Sequence, residues 1–97
     1  MHAGVAALLF PLLKDEEAEV RLSVVQLLNQ RVPFTEPAIR DLLLLLEDDE
    51  KEIRRIAGFM LERLTPKAPA SKEALLEALK SENIFVREVA AKALANE

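Results

Sequence analysis

The chain has 97 residues, 51% of them hydrophobic and 31% charged, with a formal net charge of -4 and no cysteine. That length makes one domain or a piece of one, and the apolar content excludes a chain disordered by composition. Basic against acidic residues number 3 to 4 in residues 1–33, 5 to 8 in 34–66 and 5 to 5 in 67–97. No third therefore carries the concentrated positive charge that nucleic acids or anionic membranes demand, and without cysteine neither a disulfide nor a thiolate metal site is available.

Residues 1–13, MHAGVAALLFPLL, contain no charged side chain. A signal peptide would carry a positive n-region and an unbroken apolar run, whereas Pro11 interrupts this one and charges follow at once. The stretch is too short to span a bilayer, so it reads as a buried first helix near 3–14. A second helix near 17–31 carries Val20, Val24, Leu27 and Leu28 at helical spacing. The segment Val32 to Pro37 then breaks the chain, because prolines end helices, and Thr35 is placed to cap the next one.

A third helix near 36–47 holds Leu42, Leu45 and Leu46. A fourth near 50–64 holds Ile53, Ala57, Met60 and Leu61. After a second break from Thr65 to Ala70, with Ser71 as candidate cap, helices near 72–80 and 83–95 complete the chain. Asp15, Asp48 and Ser81 precede the second, fourth and sixth helices as N-cap candidates, and acids follow each of them, where the helix dipole favours negative charge.

The chain repeats with a period of 33. Asp15 to Arg21 lies over Asp48 to Arg54 and over Ser81 to Arg87 without a gap. Leu9 and Leu13 lie over Leu42 and Leu46, then over Leu75 and Leu79. Val24 and Leu28 lie over Ala57 and Leu61, then over Ala90 and Leu94, and Pro33 lies over Pro66. Three copies in one register divide the chain into two-helix units at about 1–33, 34–66 and 67–97 of a single domain. Such units must stack, since neither helix pair buries its apolar face alone.

The pattern Leu-x-x-x-Leu-x-Asp, with Val-Arg following and then Ala and Leu, resembles a HEAT repeat, and is most similar to the short HEAT-like repeats first noted in phycobilisome lyases. Pro11 fits a kinked first helix of that type, and Ser81 in place of Asp is a departure from it. The resemblance implies an all-α fold: a right-handed α-α superhelix, or solenoid, of three two-helix repeats and six helices. A period of 33 is shared with ankyrin repeats, but Thr-Pro-Leu-His and the turn glycines of that family are missing.

Few residues point to chemistry. His2 is the single histidine, so neither a histidine metal site nor a Ser-His-Asp arrangement is readable, and the His-Glu pairs of iron-binding HEAT-type enzymes are missing. The acid clusters lack the spacing and central glycine of a calcium loop. The sequence is read as non-enzymatic, with no catalytic residue, metal or cofactor; bilin-lyase activity has only fold analogy behind it. Arg21, Arg54 and Arg87 recur at one register. They could form a phosphate-binding ladder, or each could reach Asp15 or Asp48 of its own or an adjacent repeat; the resemblance implies the latter, an inter-repeat tie.

Opposite the core stripe of the second helices lie the registers of 19, 22, 26, 29 and 30, with 23 at the margin. Across the repeats that face reads Leu22, Arg55, Glu88, then Gln26, Phe59, Lys92, with Ser23, Ile56, Val89 at its edge. The resemblance places this face on the concave side of a solenoid. An apolar centre with a polar rim suits a protein interface, so Leu22, Arg55, Ile56, Phe59, Val89 and Lys92 are the expected partner-binding residues, with Ile56 and Val89 alternatively reaching the core. Phe85 reads either as contact surface or as a cap on the stack. Residues 3–13 have no polar face, although terminal repeats need one. Leu8 and Phe10 are therefore candidate oligomer contacts, and the alternative function is a building block of a larger helical assembly. The expected partner is a protein, a peptide or another copy, with no nucleic acid and no membrane, in a cytoplasmic setting.

Overall fold

The computed structural model describes residues 8–30, 37–63 and 69–96, and every described element is helical. After a short helical start at Leu8 and Leu9, Phe10–Lys14 form a 3-10 helix with Pro11 in its first turn, where a missing N–H costs nothing. The α-helices are α1 (Ala18–Asn29), α2 (Pro37–Leu45), α3 (Lys51–Glu62), α4 (Pro69–Ala78) and α5 (Ile84–Ala95). Among the described residues the first of the six expected helices is thus mostly 3-10, and the other five are α-helices. Residues 1–7, with His2, and the breaks at 31–36 and 64–68, with Thr35, lie outside the described residues.

The elements stack as the period requires. The 3-10 helix packs on α1, α2 on α3 and α4 on α5. The second helices α1, α3 and α5 form one layer in that order, and the 3-10 helix, α2 and α4 form the other. One hydrophobic core runs through all three repeats from Leu13 to Val89, joined at its C-terminal end by Leu75, Ala90 and Ala93. Gly58 lets the last two repeats approach. A Cβ there would lie 2.9 Å from Phe85 Cζ, so half-buried Phe85 packs onto α3, between repeats.

The helix starts differ from the expected caps in a regular way. Glu17, Glu50 and Asn83 are the N-cap residues, all with extended backbone. Asp15, Asp48 and Ser81 sit two residues earlier and accept from the backbone N–H of those residues at 2.9, 3.0 and 3.1 Å. They fold the tight turn that enters the helix, because a short polar side chain bonds the backbone two residues on. Ser71 is not a cap. It lies inside α4, only 3% exposed, and its hydroxyl finds no partner among the described residues.

Candidate partner-binding face and the rungs that hold it

Arg21, Arg54 and Arg87 make one arrangement three times. In each, Nη1 donates to two carbonyls of the preceding turn: Arg21 to Asp15 and Glu16, Arg54 to Asp48 and Asp49, Arg87 to Ser81 and Glu82, at 2.6–3.1 Å. Arg21 alone of the three has a carboxylate ahead of it. Its Nε donates to Asp48 Oδ2 at 2.7 Å and its Nη2 to Asp48 Oδ1 at 3.1 Å, a fork that ties the first repeat to the second. Both side chains are largely buried, at 15% and 5% exposure. Burial raises the Asp48 carboxyl, but the bonds from Arg21 and the Glu50 N–H and the charges of Arg21 and Arg54 outweigh it and hold its pKa below the ordinary range. The repeat register puts Ser81, not a carboxylate, in the place ahead of Arg54, and Arg87 has no following repeat among the described residues. The third turn has a side-chain cap in addition: Asn83 Oδ1 accepts from the N–H groups of Phe85 and Val86.

The Arg21 fork ties the first two of the second helices together, and the outer face of that layer carries most of the expected contact residues. Phe59 is 51% exposed, with the Arg63 guanidinium 4.4 Å from its ring centre. Arg63 also donates to Asn29 Oδ1 of the first repeat at 2.6 Å. Arg55 is exposed and forks onto Glu52, a bond that lowers the Glu52 pKa. Exposed Lys92 meets Glu62 across the next repeat junction at 3.4 Å, where Asn96 Nδ2 also donates to the Glu62 carbonyl. Between α1 and α3 runs an open groove of about 450 Å³, floored by Ile56 and walled by Gln26, Asn29, Gln30, Glu52, Arg55 and Phe59.

Two of the expected contact residues are not on this surface. Ile56 is 6% exposed and Val89 fully buried: both pack into the junction with the preceding repeat, so they shape the face from beneath. Leu22 is half-buried and leans on the core. Of the two candidate oligomer residues, Leu8 is 75% exposed, while Phe10 is half-buried against the core, a position that ties it to folding.

A model of HEAT repeats matches residues 39–97, more than half of the chain. The chain belongs to the HEAT-repeat family. No curated protein and no solved structure matches it. The α2 to α5 segment that carries the match includes the Asp48 and Arg54 turn, Phe59 and the second repeat junction.

The HEAT layers also form a groove that the sequence reading misses. On the first-helix side, about 380 Å³ lies between α2 and α4, lined by Leu43, Leu44, Glu47, Ala74 and Ala78 among others and bridged by Arg40 and Glu77 at 3.2 Å. Leu44 is 59% exposed there. Its signal is the run Leu42 to Leu46, since five consecutive leucines cannot all face one side of a helix. Among the described residues no cluster of three or more metal-ligating side chains occurs, and no helix is long and apolar enough to cross a membrane.

Proposed function

We propose that this HEAT-repeat chain is a protein-interaction module that takes an extended peptide segment on the outer face of α1, α3 and α5, the concave face expected of the fold. The observation that carries the reading is Phe59: a large apolar ring half in water, braced by Arg63, at the wall of a groove. An exposed aromatic in a polar surround is how interface anchors are built. Gln26 and Gln30 bring amides that both donate and accept, which suits the alternating groups of a peptide backbone. Acids and bases alternate over the face, with Glu52, Glu62 and Glu88 beside Arg55, Arg63 and Lys92, a mixture that favours a polypeptide over a polyanion.

The test is selection from a displayed random peptide library against the folded chain, followed by titration of the enriched peptides. Peptides with an apolar anchor residue are expected to bind, and Phe59→Glu, at an exposed position, is expected to weaken them about 30-fold with helicity unchanged. Peptides that bind Phe59→Glu as tightly as wild type would overturn the assignment of the face.

A further inference from the structure

The two ends of the stack are the two halves of a repeat junction. Some registers face the preceding repeat. At the 27, 60, 93 register, Met60 and Ala93 are fully buried but Leu27 is 41% exposed; at 12, 45, 78, Leu45 is 4% exposed but Leu12 is 38%. Val20 is half-buried where Ile53 and Val86 are buried. Other registers face the following repeat. Leu13 and Leu46 are buried at 1% and 0%, but Leu79 is 37% exposed; Leu28 and Leu61 are buried, but Leu94 is half-exposed. Among the described residues the first repeat therefore presents an unfilled head and the third an unfilled tail, each apolar and in the register that mates them elsewhere in this chain.

The charges match in the same way. Arg87 uses Nη1 on its own turn, as Arg21 does. Its Nε and Nη2, the atoms with which Arg21 grips Asp48, meet no acceptor among the described residues. At the head, Asp15 makes the same turn as Asp48, and no guanidinium of the described residues reaches its carboxylate from a preceding repeat.

We propose that the occupant of both ends is a second copy of this chain, stacked head to tail, with the tail leucines Leu79 and Leu94 packing against Leu12, Val20 and Leu27 of the next copy and Arg87 forking onto its Asp15. This contact is heterologous, so each dimer retains a free head and a free tail and association is open-ended. It is independent of the peptide-binding face, since Phe59 takes no part in it.

Light scattering over a concentration series tests the proposal. The mass of wild type is expected to rise from the 10.8 kDa of one chain without a plateau at two. Leu27→Glu blocks the head and Leu79→Glu the tail, both at part-exposed positions, and each variant alone is expected to stay monomeric. Mixed, they share one intact junction and are expected to form a dimer and stop there. Asp15→Asn, which keeps the turn acceptor, is expected to weaken wild-type association about tenfold, and Phe59→Glu to leave it unchanged. Circular dichroism confirms that each variant is folded. A wild type monomeric at every concentration overturns the proposal. So does a dimer that Leu27→Glu abolishes and Leu79→Glu spares, which would be a symmetric head-to-head contact.

Discussion

Replacing Asp48 by Asn removes one charge and almost no volume, and it isolates the Arg21 fork. The amide keeps an oxygen for the Glu50 N–H but turns an N–H₂ group toward the guanidinium, donor against donor. One of the two bonds from Arg21 is lost and the other becomes neutral-acceptor. A hydrogen bond to a charged group contributes about 1.5–3 kcal/mol, and one of the two bonds survives in weaker form, so the cost for Asp48→Asn is about 2 kcal/mol. For a domain of this size that lowers Tm by about 10 °C. The assay is thermal unfolding by circular dichroism at pH 7, repeated at lower pH. The folded-state pKa of Asp48 lies below its unfolded value, so its contribution is complete above the unfolded pKa and is lost as pH falls through the folded one. The gap between wild type and Asp48→Asn is therefore constant down to about pH 5 and closes below about pH 4. Equal melting of the two proteins at pH 7, or a gap that widens in acid, would refute the assignment of this pair as the tie between the first two repeats.

The same reasoning gives two stabilising changes. Ser81→Asp keeps the turn acceptor for Asn83 and places a carboxylate before Arg54, so it should raise stability by about 1 kcal/mol in urea unfolding; no change would show that the second junction does not admit the fork. Ser71→Ala removes a buried hydroxyl without a described partner and improves helix propensity, and should stabilise by about 1 kcal/mol. A loss of stability on that change would mean that the hydroxyl is bonded.

The stacked architecture was legible because a period of 33 places equivalent residues over one another, and a helix pair with one apolar face has to stack. Helix periodicity also put Phe59, Arg55 and Lys92 on the outside. It did not settle the edges of the apolar stripe. Ile56 and Val89 sit where a neighbouring repeat covers them, while Leu27 and Leu79, at core spacing, lie on the two ends of the described stack, where no described repeat covers them. Exposure at those positions is a property of the junction and not of the helix. Arg63 bracing Phe59 and bonding Asn29 was out of reach for a similar reason, because residues 34 apart meet only once the repeats are stacked. Ser81 was visible as a departure from the pattern; that it keeps the turn bond while Asn83 supplies the side-chain cap two residues on depends on the turn geometry.

The central claim is that the outer face of the second helices is the contact surface. Backbone amide shifts of the labelled chain, followed during titration with a peptide enriched by display, test it most directly. Changes centred on Gln26, Arg55, Phe59 and Lys92 are the predicted result. Changes centred on Arg40, Leu44 and Glu77, on the opposite layer, would contradict it.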